Sequence, residues 1–99
     1  MAAYWIAHVT IHDPTQYQHY MALAPAAFQA YNARFLARGG KATSLEGAAF
    51  QKHVLIEFDD YQSALDCYHS EAYQRARAER ADVAEAMITI VEGLKRATE

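Results

Sequence analysis

The sequence predicts an α+β fold, a ferredoxin-like βαββαβ sandwich in which helices cover one face of a four-stranded antiparallel sheet. Segments rich in aromatic and β-branched residues alternate with segments of helical spacing in that order along the chain. Two βαβ-type halves within 99 residues are typical of this sandwich. The length predicts a single domain over 1–99, with a core over about residues 3–93 and a polar tail over 94–99.

The first strand and the first helix follow from local chemistry. The segment Tyr4–Ile11 is rich in aromatic and β-branched residues and predicts a strand. Asp13 is suited to cap a helix, and Pro14 to occupy its first position, where a missing N–H would be unpaired anyway. Apolar residues at steps of three and four then predict a helix from Thr15 to Leu36. A kink or break is expected just before Pro25, because proline removes one backbone hydrogen bond.

The end of that helix and the later elements complete the pattern. Arg38 is predicted to be a cation in the last helical turn, followed by Gly39 and Gly40, which end the helix. The later elements are a weak strand over Lys41–Glu46, a strong strand over Lys52–Phe58, a short helix from Tyr61 capped by Asp59 or Asp60, a helical piece from Glu71 to about Ala81 capped by Ser70, and a last strand over Met87–Glu92. The helical piece is expected to expose Arg75 and Arg80 among acidic residues, which is typical of a solvated face.

The composition limits which cellular compartment and which classes of partner are expected. Cys67 is the only cysteine, so no internal disulfide can form, and a cytoplasmic location is expected. The chain has a net charge of −3, which argues against nucleic acid as a partner. No apolar run approaches the ~20 residues that span a bilayer, and no signal peptide is recognisable, so no membrane association is expected.

Alternation along the strands predicts a sheet with two different faces. One face is uniformly apolar and is expected to lie under the helices: Trp5, Ala7, Val9, Ile11, Val54, Ile56, Phe58, Ile88 and Ile90. The other combines apolar with polar residues: Tyr4, Ile6, His8, Thr10, His53, Leu55, Glu57, Met87, Thr89 and Val91. The second face is too apolar for free exposure, so a homodimer is expected in which it packs against the sheet of a second copy.

The candidate site residues on the mixed face are His8, His53 and Glu57. With the first and third strands taken as parallel neighbours, His8 and Glu57 are expected to lie side by side. A histidine oriented by a carboxylate can act as a general base; the alternative is a polar pair that only fixes strand register or dimer geometry. His53 could join them to give two imidazoles and a carboxylate, the ligand set of some metal sites, but its spacing from Glu57 matches no metal motif, so neither a metal nor a cofactor is expected.

Two further candidates lie on or near the first helix. Tyr20 is one of seven tyrosines, and its position before Pro25 makes it the best candidate to line a pocket between helix and sheet. Arg38 could bind a ligand carboxylate through two hydrogen bonds. As a cation at the end of a helix it would equally need no ligand.

Four segments resemble one family: AYWIAHVTIHDPTQYQHYMALAP, FLARGG, VLIEFDDYQSALDCYHSEAYQRARAERA and IVEG. From about Ala3 to Gly93 the chain is similar to the family known as domain of unknown function 1330, within the dimeric α/β-barrel superfamily. The resemblance implies a small bacterial protein whose sheet packs on that of a twofold mate. It carries no catalytic residues over, because the family has no established activity. Relatives in the superfamily include cofactor-free monooxygenases, haem-degrading enzymes and lactone isomerases, which is a fold-level analogy.

Two functional hypotheses follow. In the first, the homodimer binds a small organic molecule in an apolar cavity lined by the five candidates, with proton-transfer or oxygenase-like chemistry. In the second, the chain is a non-catalytic oligomeric module that binds a metabolite or protein, and the polar residues only secure the dimer.

Overall fold

The computed structural model describes residues 1–95 and confirms the ferredoxin-like architecture. The elements in chain order are β1 (Ala3–Ile11), α1 (Pro14–Ala30), β2 (Arg34–Arg38), β3 (Lys52–Phe58), α2 (Tyr61–His69), α3 (Glu71–Ala78) and β4 (Ala84–Glu92). The strands form one sheet in the order β2-β3-β1-β4, and every neighbouring pair is antiparallel. None of the helices in this part of the chain is long and apolar enough to cross a membrane.

The core lies between the helices and one face of the sheet, around Trp5. This side chain is 1% exposed, and its indole contacts the rings of Phe28 and Tyr73 edge-on, each at a centroid distance of 5.0 Å. Phe58 stacks on it at 6.0 Å. The alternation predicted for β1 is confirmed, since every second residue from Ala3 to Val9 is buried.

Helix α1 begins as predicted and ends earlier. Asp13 caps it, because Oδ1 accepts hydrogen bonds from two backbone N–H groups of the first turn at 3.1 Å each. The helix does not break at Pro25 and continues to Ala30. It ends where Asn32 takes a left-handed backbone conformation (φ 56°), which asparagine tolerates better than most residues. The expectation of a helix extending to Leu36 is therefore wrong.

The second strand lies earlier in the chain than predicted. β2 is Arg34–Arg38, and no strand forms over Lys41–Glu46. The pairing with β3 explains why the strand forms at Arg34–Arg38: Phe35 lies opposite Ile56 in the register, and its ring packs against the core. Arg38 therefore ends a strand and not a helix, and Gly39 ends β2 with a positive φ of 69°.

Within residues 1–95, no helix or strand packs on the outer face of the sheet. Met87 (57% exposed) and Val91 (44% exposed) are apolar side chains on this face. β3 has the predicted bounds, whereas β4 begins three residues before the predicted Met87. Of the predicted polar tail, residues 96–99 lie outside the described part of the chain.

Candidate functional site

A cavity of about 360 Å³ lies between α1 and the inner face of the sheet. Its walls are formed mainly by aromatic and aliphatic side chains from β1, α1, β3 and β4, among them Trp5 and Phe28. Met21 and Arg38 are exposed residues of the lining and mark its opening to solvent. The size and the apolar character are those of a site for a small organic molecule.

The polar end of the cavity is a hydrogen-bonded cluster of two tyrosines and an arginine. The hydroxyls of Tyr20 and Tyr73 lie 3.0 Å apart, and Arg80 Nη2 donates to the Tyr73 hydroxyl at 3.1 Å. The guanidinium Cζ of Arg80 also lies 5.2 Å from the ring centroid of Tyr20, within cation–π range. Burial, followed by the neighbouring Tyr73, raises the pKa of the Tyr20 hydroxyl. Tyr20 therefore keeps its proton and can donate a hydrogen bond.

Two further cations line the same cavity. The Lys52 ammonium lies 5.7 Å from the ring centroid of Tyr17, and the guanidinium of Arg38 lies 4.6 Å from that of Phe35. Burial, and then the positive charge of Arg38, lower the pKa of the Lys52 amine. The charged form of Lys52 is therefore less favoured in this cavity than in water.

The lining contains no Asp or Glu among the residues that the structure describes. Over residues 1–95, none of the three cations forms an ion pair with a carboxylate. Glu79, the acid next to Arg80 in sequence, instead accepts a hydrogen bond from Gln16 at 3.3 Å and lies 3.8 Å from His19. The site combines apolar walls with positive charge that no carboxylate of the described residues pairs with.

His8 and His53 meet on the opposite face of the sheet. They are cross-strand partners, and their Nδ1 atoms lie 2.8 Å apart, so one imidazole donates a hydrogen bond to the other. With Phe50 and Met87 they border a separate depression of about 550 Å³ on the outer face. In residues 1–95 no three His, Cys, Asp or Glu side chains are grouped to hold a metal ion.

Glu57 does not lie beside His8, and the expectation that they are neighbours is wrong. Because β1 and β3 run antiparallel, Glu57 pairs with Tyr4, and it is separated from His8 by four residues of register, about 13 Å. Its carboxylate accepts a hydrogen bond from Arg34 Nε at 2.9 Å, and the Tyr4 hydroxyl lies 3.5 Å away. Arg34 also bridges to Asp59 at 3.0 Å. Glu57 therefore belongs to an ion-pair network of its own.

The structure thus divides the five predicted residues among three places. Tyr20 and Arg38 line the inner cavity, His8 and His53 pair on the outer face, and Glu57 lies in the ion-pair network.

The prediction missed Lys52 and Arg80 as site residues. Arg80 was expected to be exposed on a solvated face and is instead 7% exposed. A signal for this was present: Arg80 follows Tyr73 and Ala76 at helical spacing, on the face that is buried.

Comparisons with known proteins support the architecture. Residues 2–94 match the family described as "Domain of unknown function (DUF1330)". No curated protein sequence matches the chain. Among solved structures, a protein of unknown function from Rhodopseudomonas palustris superposes with a TM-score of 0.76 at 13% identity, over 96% of this chain and 84% of that chain.

Two other solved structures share the fold. SnoaB, a cofactor-independent oxygenase from Streptomyces nogalater, gives a TM-score of 0.64 at 12% identity, over 99% of this chain and 98% of that chain. A dimeric ferredoxin-like protein of unknown function from Thermobifida fusca gives 0.64 at 15% identity, over 94% and 92%. At these identities the likeness shows the ferredoxin-like fold alone.

Proposed function

This chain belongs to the domain of unknown function 1330 family, and we propose that it binds a small organic molecule in the cavity between α1 and the sheet. The observation that carries the proposal is the cavity itself: about 360 Å³ of space with mostly apolar walls and a few polar groups at one end. A cleft with mostly apolar walls and a few polar groups at one end is the usual arrangement of a small-molecule site, and this lining favours ligand binding here.

The arrangement of the cavity is suited to holding one molecule in one orientation. Phe35 and the ring of Tyr20 are lining residues with accessible aromatic surface for a ring, and the Tyr20 hydroxyl lies at the polar end, where it can form a hydrogen bond. SnoaB, described as a cofactor-independent oxygenase, shares the fold. Oxygenase-like conversion of the bound molecule is therefore the chemistry we would assay first, by oxygen uptake with each ligand that binds.

Trp5 makes the proposal directly testable. It is the only tryptophan, and it lies in the wall of the cavity, so its fluorescence reports occupancy. We would titrate the protein with one-ring and two-ring aromatic compounds, each as the neutral and the acidic form. Saturable quenching or a spectral shift is expected for some of them, with a matching rise in melting temperature.

A cavity-filling variant and a matched control assign the site. Ala24 is buried in the lining, so Ala24→Leu is expected to weaken binding by about tenfold or more, which corresponds to about 1.4 kcal/mol. Ala26 is exposed on the same helix and is not part of the lining, so Ala26→Leu should bind normally. Equal affinity in the two variants would contradict the proposal, as would a panel in which nothing binds.

We also propose that two copies associate through the outer faces of their sheets. Met87 and Val91 are exposed apolar side chains of β4 on this face, and exposed apolar surface of this kind is typical of an interface. The related Thermobifida fusca protein is described as dimeric. Met87→Glu is expected to shift the sedimentation equilibrium toward monomer, whereas Ala72→Glu, on the exposed side of α3, should leave it unchanged. A monomeric wild-type protein at micromolar concentration would refute this part.

A further inference from the structure

The inner cavity has a charge opposite to that of the chain. The chain carries 12 acidic and 9 basic residues, yet three of the basic residues and none of the acidic ones line the cavity among the described residues. A cavity with apolar walls is an unfavourable place for cations, since each loses hydration there. Their grouping in this cavity therefore needs a cause other than packing.

Of the three cations, Arg80 gives the strongest evidence that the cavity binds an anion. Its side chain is 7% exposed, and the hydrogen bond that it donates from the guanidinium goes to a neutral partner, the Tyr73 hydroxyl at 3.1 Å. Buried arginines are ordinarily paired with a carboxylate or another anion. The neighbouring Glu79 is directed elsewhere, toward Gln16 and His19. The guanidinium is thus buried and still lacks an anionic partner within residues 1–95.

Lys52 and Arg38 point to the same conclusion from the open side of the cavity. Both line it, and Lys52 is only partly exposed although no carboxylate lies in the lining that the structure describes. Two neighbouring cations repel one another, and an anion between them would be attracted to both and would offset that repulsion. The positive charge of these two residues adds to that of Arg80 in favouring a negatively charged guest in the cavity.

We infer that the ligand of this cavity is an organic carboxylate with an apolar body. The inference rests on the proposed function and adds the class of the ligand. The fork of the Arg80 guanidinium matches the two oxygens of a carboxylate. With Tyr73 as the donor of their shared hydrogen bond, the hydroxyl of Tyr20 is free to donate one to the ligand, and the apolar body would lie against the accessible lining residues Phe35 and Val54.

The test compares matched acids and amides. 3-Phenylpropanoate and 3-phenylpropanamide have the same apolar body and differ in charge, and 2-phenylethylphosphonate serves as a second anion. Binding is followed through Trp5 fluorescence and by calorimetry on the full chain. The carboxylate is expected to bind at least about 30-fold more tightly than the amide, the ratio typical of a buried, hydrogen-bonded charge pair.

Variants then assign the charge recognition to named residues. Arg80→Met is expected to remove most of the preference for the carboxylate and to leave amide binding within about threefold. Arg75→Met is the matched control, because Arg75 is an exposed arginine on α3 whose partner is Glu71. Lys52→Met provides a second test if Arg80→Met does not fold, as judged by circular dichroism.

Each outcome is decisive. Equal affinity for acid and amide overturns the inference and leaves the proposed function standing, as does tighter binding of the phosphonate than of the carboxylate. Failure of both phenylpropanoid probes, with no effect of filling the cavity on any other compound, overturns the proposed function as well. An equal loss of both probes in Arg80→Met assigns Arg80 a structural role and also overturns the inference.

Discussion

If Arg80 is present to bind a ligand, the ligand-free protein should not lose stability when the residue becomes apolar. We predict that Arg80→Met leaves the free energy of unfolding unchanged or raises it by up to about 2 kcal/mol, because the charge is buried without an anionic partner among residues 1–95. Methionine keeps the unbranched stem and can pack against the same aromatic rings.

The magnitude follows from the contacts of the guanidinium. The variant loses a charged hydrogen bond to Tyr73, worth about 1.5–3 kcal/mol, and a cation–π contact with Tyr20, worth up to about 2 kcal/mol. The variant also loses the desolvation penalty of the Arg80 charge, which is several kcal/mol because the side chain is only 7% exposed. The opposing terms are similar in size, and burying the methionine side chain adds about 1 kcal/mol or more to the stability of the variant.

Urea denaturation followed through Trp5 fluorescence measures the difference, because Trp5 is fully buried and unique. Arg75→Met, which removes a surface pair with Glu71, should change stability by no more than about 0.5 kcal/mol. Destabilisation of Arg80→Met by more than about 1 kcal/mol in the absence of ligand would refute the reasoning, since it would show that Arg80 stabilises the fold as it stands.

Three further predictions concern single groups. Burial and a neighbouring cation lower the pKa of Lys52, so Lys52 loses its charge at a lower pH in the folded protein than in the unfolded chain. The affinity for a carboxylate, measured by calorimetry, should therefore fall as the pH rises through that pKa, and the fall should be smaller in Lys52→Met. Burial raises the pKa of Cys67 to about 12, so a disulfide reagent should modify it only as fast as the protein unfolds, and a rapid native-state reaction would contradict its burial. Gly93→Ala should cost about 1–2 kcal/mol in urea denaturation, because the new Cβ would lie 2.9 Å from the carbonyl oxygen of Ala2, whereas Gly40→Ala meets nothing within 4 Å and should change stability by less than about 0.5 kcal/mol.

The fold could be predicted wherever the determining signal is local. The cap at Asp13, the bounds of β3 and the alternation around Trp5 all depend on residues within one element. The start of β2 could not be predicted this way. Phe35 continues the apolar spacing of α1, and only its pairing with Ile56 on a strand that comes later in the sequence makes a strand the better solution.

The candidate site was harder to predict because it is assembled from distant elements. The side chains of His8 and His53 meet only because β1 and β3 run antiparallel in one register, and a parallel pairing would have brought Glu57 to His8 instead. Arg80 was not predicted as a site residue for a different reason. Its charge suggests exposure to solvent, although its spacing of seven residues from Tyr73 continues the buried face of α3 into the turn that follows the helix.

The two faces of the sheet explain together why 53% of this chain is apolar. On the inner face, part of the apolar surface lines a cavity of about 360 Å³ and makes fewer contacts than a packed core would. A domain of this size has little stability to lose, so the missing contacts must be offset elsewhere. Burial of Met87 and Val91 against a second copy would provide that offset on the outer face, and a bound carboxylate would provide it on the inner face. Dimer formation and ligand binding should consequently each raise the melting temperature, and the two increments should add, because the sheet separates the two surfaces.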